Sequence, residues 1–279
     1  MTIGDKLSAP ASVRPMSLDR GVHRSFLSDV VIDYGPREIL SRLFLKADTE
    51  LRKKGIRLTF ASFDELVGVN KANSSTWAPM VPVFDPKVSD VHEGNGFAMI
   101  GWSERGEAIC TTAARIIDLG GSTLKVEAES LRLFYSDPGA SRRPEERVHV
   151  TAPTAATMMG RLVYGGATWY RPDYRGRGVM GVLSKLARGI GFSRWEAAPV
   201  ITFMSQGLVG AGVPARCHFP NVEWAVTLTH TPVIPSGTYE GALLWAEEDY
   251  LLDVLRTFVD AGTRDTKVDQ VVQKRTANQ

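Results

Sequence analysis

The sequence predicts a mixed α/β (α+β) fold, a mostly antiparallel central sheet with helices on both faces, and three observations point to it. Apolar residues recur at helical spacing over 36–54, and a short strand-like run, IRLTF (56–60), follows directly, so helix and strand alternate from the start. Two strand-like runs, Phe97 to Trp102 and Glu107 to Ile117, are joined by Ser103-Glu104-Arg105-Gly106, the length and composition of a hairpin turn. A fourth strand, Arg161 to Tyr170, runs through a glycine-rich turn into an amphipathic helix over about 179–193.

Composition bounds the function. At 279 residues the chain exceeds the ~100–150 typical of one domain, which suits one elaborated domain over 21–262. Apolar residues make up 43% and charged residues 23%, ordinary values for a folded globular chain. The net charge of +2, from 33 basic and 31 acidic side chains, gives no field suited to nucleic acid or an anionic membrane, so any anion site must be local. Cys110 and Cys217 are too few for a disulfide framework and lack zinc-ligand spacing; His92 and His149 are isolated, and no metal is expected. No apolar run has the length of a signal peptide at the N-terminus or of a membrane span elsewhere, so the expected compartment is the cytoplasm.

Taken in order, residues 1–20 lack periodicity and read as a loose arm. Ile39, Leu40, Leu43, Phe44, Ala47 and Leu51 mark one helical face, with Pro36 suited to the first turn and Gly55 to the stop. Ser62 with Glu65 three residues later has the form of a capping box opening a second helix. Residues 73–90, with three prolines, read as a long surface loop. Leu124, Ala128, Leu131 and Tyr135 predict one helix over 122–135, ended by Asp137-Pro138-Gly139, within an insertion at about 118–160. Gly165-Gly166 inside the strand 161–170 calls for a bulge or a close backbone approach. Val200 to Met204 reads as a short buried strand, 206–216 as weakly helical, and 222–228 as the last clear strand, giving about six strands. Leu243, Leu244, Tyr250, Leu251, Val254, Leu255 and Phe258 suggest a C-terminal helix, after which 263–279 should fray.

The chemistry concentrates in the turn RPDYRGRG (171–178). Gly176, Gly178 and Gly181 let the backbone turn tightly so that several N–H groups converge on one point, and that point is also a helix N-terminus. Arg175 and Arg177 add positive charge, making a phosphate cradle that needs no metal. Val182-Leu183 follows Gly181 where a P-loop requires Lys-Ser/Thr, which disfavours that reading. Gly176-x-Gly178-x-x-Gly181 has dinucleotide-fingerprint spacing, yet the next acidic residue, Glu196, falls in a loop and not at a ribose. The bland reading is a tight turn with two solvated arginines. A nucleic-acid module built on Arg142, Arg143, Arg175 and Arg177 is disfavoured by the near-neutral charge.

PDYRGRGV between a strand and an amphipathic helix resembles the signature of the GNAT superfamily of N-acyltransferases, Arg/Gln-x-x-Gly-x-Gly/Ala. Arg175 and Gly178 match; Met180 stands where the second small residue is expected and Gly181 follows one place late. The resemblance implies a sheet split at a V-shaped coenzyme A cleft between 161–170 and 200–204. It implies acetyl-CoA or another acyl-CoA as donor and an amine of a small molecule or a protein as acceptor. The backbone of Thr168, Trp169 and Tyr170 would pair with the pantetheine arm. The amides of Arg175, Gly176, Arg177, Gly178, Val179, Met180 and Gly181 would hold the pyrophosphate. The insertion would cover the acceptor side. Many members place a catalytic Tyr after the fifth strand, but SQGLVGAGVPARCHF (205–219) contains neither Tyr nor Asn. Ser205, Cys217 and His218, with Tyr170 on the strand, are then the candidate acid and base groups; against them stand a helix cap, a small buried hydrophobe, a loop residue and core packing. Trp77, Trp102, Trp169 and Trp195 are core or pocket aromatics. A chain that binds CoA as a sensor or scaffold without turning it over is the alternative, and a homodimer stays open.

Overall fold

The computed structural model describes residues 24–195, 198–234 and 237–261; the arm over 1–20, Glu196 and the tail over 263–279 lie outside the described residues. Helix α1 (Arg37–Arg52) starts behind Pro36, buries Leu40, Leu43, Phe44, Ala47 and Leu51, and gives way to Gly55 at φ +72°. Strand β1 (Arg57–Ala61) follows, and the Ser62 side chain accepts the Glu65 amide at the head of α2 (Phe63–Ala72), satisfying one of the free first-turn donors. Strands β2 (Gly96–Trp102) and β3 (Ala108–Asp118) form the hairpin, with Gly106 at φ +77° in its turn. Next come α3 (Leu124–Glu129), α4 (Pro138–Ser141) and β4 (Arg147–Val150), then β5 (Arg161–Tyr170) and α5 (Val179–Arg194). Strand β6 (Val200–Ser205), short helices α6 (Gln206–Gly210) and α7 (Val213–Arg216), β7 (Asn221–Thr229), β8 (Thr238–Ala246) and a final helix α8 over 248–261 complete the order.

The strands make one sheet in the order β1-β2-β3-β5-β6-β8-β7-β4, antiparallel at every step except the parallel contact of β5 with β6. Each face is covered. On one, α1, α5 and α8 pack Leu40, Leu43, Leu183, Leu186, Leu251 and Leu255 against the strands. Gly189 of α5 makes room for α1, since a Cβ there would strike the Leu43 side chain. On the other face, α2, the loop carrying Phe84 and the segment 118–160 contribute Phe63, Leu66, Phe84, Leu124 and Phe134 around Tyr164 and Ile201. The insertion therefore lies on the face opposite α5.

Four expectations change. The helix over 122–135 ends at Glu129, because Leu131 takes φ +67° and Leu131, Leu133, Phe134 and Tyr135 are all buried, more than one helical face can hide. Leu243 and Leu244 belong to β8, not to the C-terminal helix, which starts at 248. Strand β8 lies between β6 and β7 with Ala242, Leu243, Leu244 and Ala246 fully buried, so it lacks the alternation that marks a one-faced strand. With the four-residue β4 inside the insertion, the strands number eight among the described residues, not about six. The weak helix over 206–216 is two short pieces, broken where Gly212 takes φ +72°.

Candidate functional site

Strands β5 and β6 are in register only at Val163–Val200 and Tyr164–Ile201. Beyond that point β6 turns its full length to β8, while β5 stays with β3, and a gap opens in the sheet. Beside the gap, β5 is distorted where it pairs with β3. Ala113 pairs with Gly166 and Thr111 with Trp169, so Ala167 and Thr168 together oppose Thr112, a bulge in which Ala167 takes φ +46° and its carbonyl accepts the Thr111 hydroxyl at 2.8 Å. The glycine before it has its own cause, because a Cβ on Gly166 would lie 2.7 Å from the Phe84 ring. Bulge and close approach thus occupy adjacent residues.

The gap holds a cavity of about 1100 Å³ that reaches both faces of the sheet. Trp77, Phe84, Phe203 and Tyr239 line it on the insertion face, and Arg188, Cys217 and Phe219 on the α5 face. Its rim is formed by the turn 171–178 and the first turn of α5. There Gly176 takes φ +76° and Gly178, the N-cap residue, φ +73°, a region that strains any residue with a Cβ. No atom lies within 4 Å of a Cβ built on Gly176, and only Lys54 Nζ, at 4.0 Å, meets one on Gly178. The first amides of α5 have no acceptor within their own helix and face this open rim with the positive end of the dipole.

The arginines of the turn divide their work. Arg171 is committed to Asp173 (2.7 and 3.0 Å) and to Glu107 (2.8 Å), and holds both carboxyl groups below the usual range. Arg175 donates from Nε to the Tyr170 carbonyl (3.1 Å) and from Nη2 to the Thr76 carbonyl (3.4 Å), joining the end of β5 to the loop after α2. Arg177 lies 4.6 Å over the Tyr174 ring. Lys54, just past α1, is a cation at this rim that no local sequence signal links to it.

The four candidate acid and base groups separate. Tyr170 lines the cavity, and burial, then neighbouring Cys110 and Cys217, hold its phenol well above the usual range, so it is a protonated donor at neutral pH. Ser205 also lines the cavity, as Tyr239 does; its side chain does not cap α6. Burial pushes the Cys217 thiol up, which keeps it protonated despite Arg188 and Arg216 nearby. His218, at φ +55°, stands behind the cavity wall, its imidazole brought down to about 4 by burial and then by Lys185 and Arg188. Tyr239 is a site residue that local sequence did not reveal, because its strand was hidden; burial pushes it up to about 12. Among the described residues that line the cavity there is no Asp, Glu, His or Lys. Trp77 and Trp169 stack within this wall, whereas Trp102 donates its indole N–H to Thr59 in the core.

Among the described residues no group of three His, Cys, Asp or Glu side chains is placed to hold a metal ion, and no helix is long and apolar enough to cross a membrane. His92 accepts the Gly94 amide, and His149 lies 3.1 Å from Glu129.

No family model and no curated protein matches the chain. Among solved structures it is similar to the spermidine N-acetyltransferase SpeG of Vibrio cholerae, at 9% identity over 71% of this chain and 97% of that one, with a TM-score of 0.43. It is similar to NAA60 of Arabidopsis thaliana in complex with acetyl-CoA, at 16% identity over 69% and 99%, with a TM-score of 0.38. The aminoglycoside acetyltransferase AAC(6')-Ib in complex with coenzyme A and kanamycin is a third likeness, at 12% identity over 71% and 98%, with a TM-score of 0.40. Two of these three structures hold acetyl-CoA or coenzyme A.

Proposed function

We propose that this chain is an acyl-CoA-dependent N-acyltransferase of the cytoplasm that moves an acetyl or other acyl group to an amine of a small molecule or a protein. The observation that carries this reading is the gap between β5 and β6, edged by the bulge at Ala167–Thr168 and opening at the glycine turn before α5. An extended amide arm laid in the gap takes the place of a missing strand, using the backbone of Thr168, Trp169 and Tyr170. The amides of Arg175, Gly176, Arg177, Gly178, Val179, Met180 and Gly181 receive the pyrophosphate, because glycines without Cβ and a helix N-terminus suit an anion that must approach backbone.

In the reaction the acceptor nitrogen attacks the thioester carbon, the C–N bond forms, and the C–S bond breaks as the electron pair leaves on sulfur. A bulged strand turns a backbone N–H away from its ladder, and such a donor stabilises the developing oxyanion. The leaving thiolate takes a proton from a buried phenol, Tyr170 in the first place and Tyr239 in the second, and the phenolate so formed regains its proton from water. Since the described residues of the wall include no carboxylate or imidazole, the amine enters neutral and its surplus proton leaves to water. Orientation of the two reactants supplies the largest share of the acceleration.

Calorimetric titration with acetyl-CoA, followed by thiol release against a panel of amines, tests the proposal. Binding with amine-dependent release supports it. Binding without release across the panel makes the chain a CoA sensor or scaffold, and no binding removes the cleft assignment altogether.

A further inference from the structure

Arg188 of α5 is 6% exposed and lines the cavity, yet its Nη1 has no hydrogen-bond partner. The guanidinium lies 4.6 Å over the Phe219 ring, a contact that covers its face and leaves the N–H groups of Nη1 unanswered. Among the described residues its ionisable surroundings are of the same sign or neutral. Lys185, held by the Gly181 carbonyl at 2.9 Å, opposes its charge, and both cations act on His218. The groups whose ionised forms would favour Arg188 are Cys217, a thiol that burial keeps protonated, and the phenol of Tyr250. Ser184, one turn nearer the rim, and Arg216 line the same wall.

A buried cation without a counter-charge is costly in the free protein, and the usual remedy is an anion with matching geometry. A planar carboxylate offers two oxygens to a guanidinium fork, and burial strengthens the pair. We propose that Arg188 anchors a carboxylate subsite on the α5 wall of the cavity, so that one of the two substrates carries a carboxylate. The proposal rests on the reading of the cavity as an acyl-transfer cleft. The pyrophosphate does not fill this subsite, because ten residues of helix separate Gly178 from Arg188, about 15 Å of axial rise. The carboxylate has two sources: the free end of a dicarboxylic acyl group, as in succinyl-CoA, or the α-carboxylate of an amino-acid acceptor.

The experiment compares wild type with Arg188→Met, a substitution that keeps most of the volume and removes the charge. If the acyl group is the source, succinyl-CoA binds at least tenfold tighter than acetyl-CoA to wild type, and the ratio falls below threefold in the variant. If the acceptor is the source, the two donors bind alike, but amino acids exceed their decarboxylated amines at least tenfold in kcat/KM, and that preference disappears in the variant. Should neither CoA thioester bind, the acyltransferase reading fails, and the subsite is judged separately. A thermal shift of wild type by sodium succinate over sodium chloride of equal ionic strength, absent in Arg188→Met, then sustains it. CoA binding with no carboxylate preference in donor or acceptor overturns it, as does absence of both CoA binding and the succinate shift. Because the charge is uncompensated in the free protein, Arg188→Met melts at or above the wild-type temperature, which separates loss of the subsite from loss of the fold.

Discussion

Trp77 stacks on Trp169 with ring centroids 5.5 Å apart and planes 10° from parallel, fastening the loop after α2 to the end of β5. The Trp169 indole N–H reaches the Thr76 hydroxyl at 3.3 Å, and Arg175 reaches the Thr76 carbonyl. The loop, already anchored by buried Val83 and Phe84, thereby becomes one wall of the cavity. Trp77→Ala removes a stacked pair worth about 0.5–1.5 kcal/mol beyond its buried area. A fall in melting temperature is expected, together with an increase of at least fivefold in the KM of the acceptor amine, while calorimetry finds acetyl-CoA affinity within twofold of wild type.

Gly178 sits at φ +73° as the N-cap of α5. A β-branched residue in that region is strained, and its methyl groups would cover the rim that the backbone amides face. Gly178→Val should weaken acetyl-CoA by at least ~1.4 kcal/mol, a factor of ten. Circular dichroism controls for the helix; a folded variant of unchanged affinity would put the pyrophosphate elsewhere.

The dependence on pH follows from what lines the cavity. With no carboxylate, imidazole or lysine among the described residues of the wall, the amine must lose its proton before it enters, so kcat/KM should rise with pH up to the pKa of the acceptor amine. Tyr239 and Tyr170 are raised by burial, so the acid stays protonated and no alkaline limb is expected below pH 10. The stability that Tyr239 contributes as a neutral phenol is complete below its unfolded pKa near 10 and is lost as pH rises through about 12. A bell-shaped profile with a limb near 7 would require a base that is not among the described residues of this wall.

Tyr135 closes the insertion on itself, its hydroxyl 2.8 and 2.9 Å from the two oxygens of Glu146, which is 4% exposed and also accepts the Arg143 amide. Tyr135→Phe leaves a buried carboxylate short of a donor at a cost of about 1–3 kcal/mol. Chemical denaturation should read that loss with the m-value unchanged, and CoA affinity should not move.

Local signals determined much of this protein by themselves. The 3.6-residue periods of α1 and α5, the Ser62 cap, the hairpin at Gly106 and the glycine turn before α5 all depend on residues close in sequence, and each stands where those residues put it. Tertiary structure decided the rest. Strand β8 is sandwiched between β6 and β7 and buried on both faces, so it has no alternation to read, and with it Tyr239 stayed out of sight. Leu131 bends out of a helical pattern because the cluster around Phe134 hides more side chains than one helical face can carry. Cys217 and His218 follow α7, and only folding shows that one lines the cavity beside Arg188 while the other stands behind the wall. Arg188 itself lies on the apolar stripe of an amphipathic helix; a buried guanidinium left open toward the cavity is a property of packing, which brings together side chains that no sequence interval connects.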